Sequence, residues 1–392
     1  MASRKVSDAR FKDLTKEFDF DRFKISVKSN FSDFPDPRNE KRIEYPVWFL
    51  FLIILSGVLA GCNTIADITL FAEMREEWFA QMSDGPTRCP SYDTIWWFLV
   101  RVKPEAFKNL IIRWLRSLPQ DLKDQLFAVD GKRLRGVSDN EHISHIVELY
   151  ATESRLVIAQ ERVPEKSSEK SALPKLLDSV DVTGAIVSMD ALYAHREDLN
   201  EVLSRGADYI VGLKGNQANL EAEVINYFEQ ARDAQYDGVP VSQTVTMDRG
   251  HGRMETRTTT VSNDLDWLPQ RDDWHIRSVI EICSERVLRD SVSRENRYYF
   301  SSRDGTSEDF SRWIRNHWAI ENSLHWVMDV VFKEDESLAD VGFTSENLSL
   351  IRRLAINIIK TVDPDRGPSV ARKAAAYDLN YLRGLLGRIF VN

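Results

Sequence analysis

Cysteine is scarce in this chain, and the scarcity excludes whole classes of scaffold. The three thiols, Cys62, Cys89 and Cys283, are odd in number, far apart and without a CxxC pair, which argues against a disulfide framework or a zinc ribbon. Thiols of this kind fit a reducing cytosol, so a cytoplasmic location is expected. Positive charge is also in deficit, with a formal net charge of -9 and a pI near 5.5. No chain-wide basic footprint marks a polyanion binder, although acidic surface elsewhere does not neutralise a local basic patch. A polar N-terminus, MASRKVSDARFKDL, gives no sign of a signal peptide.

Long apolar runs are limited to one. Tyr45 to Ala66, YPVWFLFLIILSGVLAGCNTIA, is uncharged and 22 residues long, within the range of a bilayer span. Its last third carries Ser56, Gly57, Gly61, Asn63 and Thr64, and its surroundings are highly charged, so a buried core helix is expected and no membrane partner. Low-complexity tracts and internal repeats of useful length are absent from the sequence.

At 392 residues and 43% hydrophobic, the chain can bury a sizeable core in two or three structural parts. Residues 1–40 read as a polar lead-in, interrupted by Pro35 and Pro37. Residues 41–120 read as an all-helical module, with Ser91 placed to cap one helix and Pro104 to start another. That module is either a helix-turn-helix DNA reader or a plain helical bundle. From Asp121 the texture changes to short apolar runs: QLFAVDGK, HIVELYAT and RLVIAQERV, then a helix, AIVSMDALY, a second helix and ADYIVGLKGN. Three strands, helix, strand, helix, strand is the order of a ribonuclease-H-like mixed sheet. Residues 217–300 are threonine-rich and alternating after one helix, which suits a β-rich insertion. The catalytic α/β domain then spans 121–216 and 301–362, and a helical tail fills 363–392. The fold class expected is α/β, a ribonuclease-H-like mixed sheet with a β-rich insertion, preceded by an all-helical N-terminal module.

Three acids stand out. Asp130 follows LFAV and Asp190 follows IVSM, so each sits where a buried strand ends and side chains can converge on a pocket. Phe310 to Glu336 reads as one long helix, on which Ile314, His317, Leu324 and Met328 fall within about 60° of Glu321. Glu321 is therefore expected on the core-facing side, where a lone carboxylate needs a cation or a metal. Three carboxylates brought together cannot all ionise without a compensating cation, and hard oxygen donors select Mg2+ or Mn2+. Two such ions could activate a nucleophilic oxygen and stabilise the leaving oxygen of a phosphodiester.

The segments FAVDGKRLRG, IVSMDALYAHRE, ADYIVGLKGNQ, DRGHGRMETR and RNHWAIENSLHWVMDVVFKEDES resemble the successive blocks of the H-repeat-associated insertion-sequence transposases, a bacterial branch of the DDE superfamily. DPRNEKRIEYP, LAGCNTIADI and CPSYDT are similar to that group's associated N-terminal domain. The resemblance spans about residues 30–360 with its blocks in order. It implies metal-dependent cleavage at DNA element ends and strand transfer into target DNA, with a homodimer on the bound DNA. It also implies that Asp130, Asp190 and Glu321 are the catalytic, metal-binding triad, Asp130 bridging two ions and each of the others holding one. Where related transposases carry Tyr, Arg and Lys around the catalytic Glu, this chain has Ile314, His317 and Met328, so a hairpin-forming step is not carried over. ALYAHRE after Asp190 also departs from the group's pattern. The alternatives are a domesticated, inactive DNA-binding protein and a non-mobile nuclease.

Basic and aromatic residues near the triad sketch a DNA track. Lys132 and Arg133 follow Asp130, Lys214 follows the fifth strand, and Arg253 and Arg257 punctuate the insertion. Arg315, His317, Trp318 and His325 surround Glu321 and complete the candidates for DNA contact. His142 and His145 have a ligand-like spacing, but on a strand they point to opposite faces, so no zinc site is assigned.

Overall fold

The computed structural model describes residues 19–390 except 40, 42, 84–87, 119–124, 134–144, 165, 251–252, 269–273, 289–290 and 338–340. Among the described residues six helices come first: α1 (Phe20–Asn30), α2 (Val47–Leu59), α3 (Ile65–Glu73), α4 (Glu76–Met82), α5 (Tyr92–Arg101) and α6 (Pro104–Ser117). The uncharged run folds as α2, whose 13 residues are all buried. At 1.5 Å per residue it is about 20 Å long, and no described helix is long and apolar enough to cross a membrane. Gly61, at φ +99°, lets the chain leave this helix in a left-handed turn. Thr64 and Asp67 then start α3 with a reciprocal capping box.

Strands β1 (Leu126–Arg133), β2 (His145–Ala151) and β3 (Leu156–Val163) follow. After them come α7 (Leu173–Asp178), β4 (Ile186–Met189), α8 (Arg196–Leu203), β5 (Asp208–Leu213) and α9 (Ala218–Asp233). Four long strands make up the insertion: β6 (Val241–Gly250), β7 (Arg253–Ser262), β8 (Ser278–Leu288) and β9 (Ser291–Ser301). Among the described residues all nine strands form one sheet in the order β3-β2-β1-β4-β5-β9-β8-β7-β6. The first five are the ribonuclease-H-like half, with β1, β4 and β5 parallel and β2 and β3 antiparallel. The insertion joins it directly, because β9 pairs antiparallel with β5 from Ile210↔Ser301 to Leu213↔Tyr298.

After β9 come α10 (Ser307–His317), a π-turn (Glu321–His325), α11 (Trp326–Val330), α12 (Thr344–Val362), α13 (Pro368–Tyr377) and α14 (Leu379–Phe390). Almost the whole of α12 is buried, because it packs on β3 on one side and on α2, α5 and α6 on the other. Its polar residues serve backbone groups at those contacts. Asn357 accepts from Val157 N (2.8 Å) and donates to Val157 O (2.7 Å), pairing the free edge of β3. Asn347 donates to Leu99 O and Val102 O at the end of α5, both at 2.8 Å. Arg372 on α13 donates to Val58 O (2.9 Å), Cys62 O (3.1 Å) and Val331 O, tying the end of α2 to the end of α11. Burial without a facing carboxylate pushes its guanidinium down to about 10.

Candidate active site

Strands β1 and β4 are parallel neighbours whose register ends at Val129↔Met189. The next residue on each is Asp130 and Asp190, so the two acids stand side by side where the β1/β4 pairing ends; Asp190 directly follows β4, whereas Asp130 lies within β1 and not at its end as the sequence suggested. Beyond that point β1 continues to Arg133, paired only with β2. The Oδ1 atom of Asp130 accepts from Gly131 N at 2.9 Å, and Oδ1 of Asp190 accepts from Leu192 N at 2.9 Å. Asp190 is thus also the cap of the short turn Ala191–Tyr193, which the loop after β5 clamps. Asn216 Nδ2 donates to Ala191 O, and Gln217 Nε2 to Ala194 O at 2.9 Å. Gly212 belongs to the same arrangement: a Cβ there would stand 3.3 Å from Ala191 N.

Glu321 is placed differently from the sequence expectation. A single helix from Phe310 would have turned it inward; instead α10 stops at His317, and Glu321 opens a π-turn in which Trp326 N bonds to Glu321 O. The reason lies in the buried positions. Phe310, Trp313 and Ile314 pack into one apolar cluster with Leu126 and Ile186, while Ile320, Leu324, Val327 and Met328 belong to the main core. The π-turn follows directly on Ile320, after the helix has passed from one cluster to the other, and a widened turn changes which side chains face inward. Ile320 takes the inward position, and Glu321 is exposed. It lines a groove of about 630 Å³ between α10, the π-turn and strands β6–β9, together with Arg257, Arg286, Arg297, Arg315 and Trp318.

Electrostatics ties the three acids together. Asp130 is pushed up to about 6, chiefly by burial and further by repulsion from Asp190 and Glu321, against the pull of His325 and the Gly131 N–H. Among the described residues, no group of three or more His, Cys, Asp or Glu side chains stands in metal-holding geometry. The donor chemistry nevertheless fits a hard divalent cation: the three acids offer only oxygen, and a cation between them removes the repulsion that raises Asp130.

Behind Asp130 lies a buried ionic chain that sequence reasoning missed. Glu148 on β2 is fully buried and pairs in register with Asp130. Its Oε2 is 3.0 Å from His325 Nε2, and its Oε1 accepts from Arg353 Nε at 2.7 Å. Arg353 also donates to Glu334, and Glu334 accepts from Lys132 Nζ at 3.3 Å. Lys132 further bonds Asp329 and lies 3.7 Å from Asp335. Burial alone would raise Glu148, but Arg353 and His325 overcome it and hold the carboxyl at about 2. Glu334 is likewise held below the ordinary range, against burial, by Arg353 and Lys132. Burial also works against the His325 imidazolium, yet Glu148 and Asp130 raise it above the usual value. The signal was available: Glu148 interrupts the apolar strand HIVELYA, and Arg353 interrupts the apolar face of LSLIRRLAINII.

A pH dependence follows. Glu148 is depressed in the fold from an ordinary 4.5 to about 2, so its contribution is complete above about pH 4.5 and is lost as the pH falls through its folded value. The expected result is a melting temperature that drops on acidification below pH 4.5, with a loss on the order of 3 kcal/mol from this group. Thermal melts of wild type and Glu148→Leu between pH 7 and pH 3 check it; equal acid sensitivity in both would refute the assignment.

The remaining candidates divide into outward and inward groups. Arg133 and Lys214 are exposed. Arg253 begins β7, but its side chain lies outside the described residues, as does His142. Arg257 is held by Asp248 and Glu255, each at 2.8 Å, and Arg315 also bonds Asp248. Trp318 is half-buried with the Arg297 guanidinium 4.6 Å from its ring. Three expected DNA contacts are turned inward. Lys132 is only 7% exposed and spent on carboxylates. His317 bonds Ser188 Oγ on β4 at 2.9 Å, and burial pushes it down to about 4. His325 faces Glu148 and Asp130. A phosphate cannot reach Lys132 or His325, already enclosed by protein carboxylates, and His317 is buried against a hydroxyl rather than presented as a cation. His145 pairs with Glu169 at 3.2 Å.

A ribonuclease-H-like sheet carries two acids where the pairing of its central parallel strands ends, and a fold of this kind does not by itself settle a function. Comparison with known proteins gives the family. Residues 121–358 match the "Transposase DDE domain" family and residues 28–115 the "DDE_Tnp_1-associated" family. The chain belongs to the DDE transposase family: it is a transposase enzyme, and enzymes with this domain generally depend on a divalent metal. It is 31% identical to the "H repeat-associated putative transposase YhhI" of Escherichia coli K12, over 92% of this chain and 97% of that protein. It is 29% identical to the "Putative transposase YncI" of Escherichia coli O157:H7, over 92% and 94%. A piggyBac transposase synaptic complex with hairpin DNA aligns at 10% identity with a TM-score of 0.46, over 98% of this chain and 80% of that one.

Proposed function

We propose that this chain hydrolyses the phosphodiester at the ends of a DNA element and joins the freed 3′-hydroxyl to target DNA, using Asp130, Asp190 and Glu321. The observation that carries the reading is the β1/β4 register, which brings Asp130 and Asp190 together, with Glu321 close enough to raise Asp130. These three acids would hold Mg2+ or Mn2+. When bound, the ion supplies charge stabilisation and an activated oxygen for in-line displacement.

The chain's own residues supply position. Oδ1 of Asp130 and of Asp190 are tied to backbone N–H groups, so each carboxylate is oriented before a substrate arrives. Arg133 and Lys214 flank the strand ends as phosphate contacts, and Arg257, Arg315 and Trp318 line the groove into which Glu321 projects. Two copies holding the two element ends are the proposed working assembly. Three free thiols among the described residues fit the cytoplasm as its place of action.

The test is incubation of purified protein with labelled end-containing DNA. Cleavage and strand transfer that require Mg2+ or Mn2+ support the reading. Binding without cleavage would favour a domesticated DNA-binding protein, and hydrolysis without joining a non-mobile nuclease. A second expectation separates exposed from enclosed cations. Lys214→Ala should weaken DNA binding evenly across sequences and lower the salt slope by about 1. Lys132→Ala should instead lower the melting temperature and leave the salt slope unchanged. Fluorescence anisotropy across a salt series measures the slopes.

A further inference from the structure

Glu148 and Asp130 face each other in register on β2 and β1, so their side chains lie on the same face of the sheet and close together. Two unscreened carboxylates there would repel, and the imidazole of His325 lies between them. Its Nε2 is 3.0 Å from Glu148 Oε2, and its Nδ1 is 3.7 Å from Asp130 Oδ2. We propose that Glu148 and His325 are positioning residues for Asp130, a buried pair that sets the carboxylate's orientation toward an incoming divalent cation. The proposal rests on the reading of Asp130 as a metal ligand.

Each atom of the pair is accounted for. An ionised Glu148 only accepts, so the nitrogen facing it, Nε2, carries the proton. Glu148 Oε1 is occupied by Arg353, which Glu334 holds in turn, so Glu148 cannot rotate away to become a ligand. Asp130 Oδ1 is held by Gly131 N, and Oδ2, on the other side of the same carboxylate, faces His325, so the backbone and the imidazole hold the group from its two sides. His325 also closes the π-turn that Glu321 opens. One irregular turn therefore carries both the third acid and the residue that steadies the first, an arrangement a regular helix would not provide. Outer partners of metal-binding side chains commonly act in this way.

The experiment uses the full-length protein without DNA, reading bound Mn2+ from loss of the free-ion electron paramagnetic resonance signal, with cleavage against Mn2+ concentration in parallel. Glu148→Gln and His325→Gln should each weaken Mn2+ binding by about 10–100-fold. In cleavage, the larger effect should fall on metal half-saturation rather than on the rate at saturation. His325→Gln keeps a donor toward Glu148 and leaves the Arg353 pairing in place, so it reports on Asp130 even if Glu148→Gln fails to fold. If Asp130→Asn abolishes Mn2+ binding while both Gln variants that fold bind like wild type, the positioning proposal is overturned and the ligand reading stands. If Asp130→Asn binds Mn2+ like wild type, the ligand reading falls and takes the proposal with it. Lower melting temperatures with unchanged Mn2+ affinity would assign the pair a structural role alone and likewise overturn the proposal.

Discussion

Asp190→Asn is expected to leave a folded protein that cleaves element-end DNA at least about a thousandfold more slowly, a loss of about 4 kcal/mol in transition-state stabilisation. The substitution is chosen for what it keeps. Asparagine retains an Oδ1 to accept from Leu192 N, the bond that caps the turn after β4, and Gly212, Asn216 and Gln217 still clamp that turn. What disappears is one negative charge beside Asp130, so a fall in rate with an unchanged melting temperature isolates the chemical role from the capping role. Single-turnover cleavage in Mg2+ and in Mn2+, with DNA affinity measured separately, is the decisive assay. A rate within about tenfold of wild type, less than 1.4 kcal/mol, would remove Asp190 from the proposed triad.

The second large effect concerns stability. Arg353→Met fills a similar volume with apolar atoms but leaves Glu148 and Glu334 buried without their shared cation. Breaking a buried pair from one side costs about 3–5 kcal/mol, and a drop in melting temperature of about 4–6 °C is expected for a chain of this length. Arg353→Lys should recover only part of it, because a single ammonium cannot bridge two carboxylates as a guanidinium fork does. The deficit should shrink below pH 4.5, the ordinary value of these carboxyls, since protonated acids no longer need the arginine. Melts of the two variants against wild type at pH 7 and pH 4 would show this. A pH-independent difference would mean that packing, rather than charge, makes Arg353 necessary.

The site was legible where one local signal sufficed. Asp130 follows four apolar residues and Asp190 follows the buried run IVSM, and an acid that closes a buried run can be seen in the sequence before the fold is known. The order of β1–β5 was legible for a similar reason: strand and helix periods alternate in blocks that permit few topologies. The environment of Glu321 was misjudged: it was expected to face the core and is exposed. Helical periodicity presumes a constant 100° per residue, and the π-turn at the passage between two apolar clusters is a property of what the helix packs against. Lys132, His317 and His325 were misplaced for another reason. Proximity to a catalytic acid in the chain does not reveal which way a side chain turns, and each of these turns toward a partner that is remote in sequence: Asp329, Ser188 and Glu148.

By itself, the sequence determined the fold class, a mixed sheet with a β-rich insertion behind helices, and, through its resemblance to known blocks, membership of the DDE transposases. The first follows from short-range patterns of apolar and polar residues and the second from blocks of sequence in a shared order, both of which the chain displays whether folded or not. Only the tertiary structure decided that the insertion extends the catalytic sheet through β5 and β9 and that Glu321 faces a groove lined with arginines. It also decided that Asp130 is backed by Glu148, His325 and Arg353. Those facts depend on residues about 200 positions apart meeting in a water-poor interior, where every buried charge must find its counter-charge.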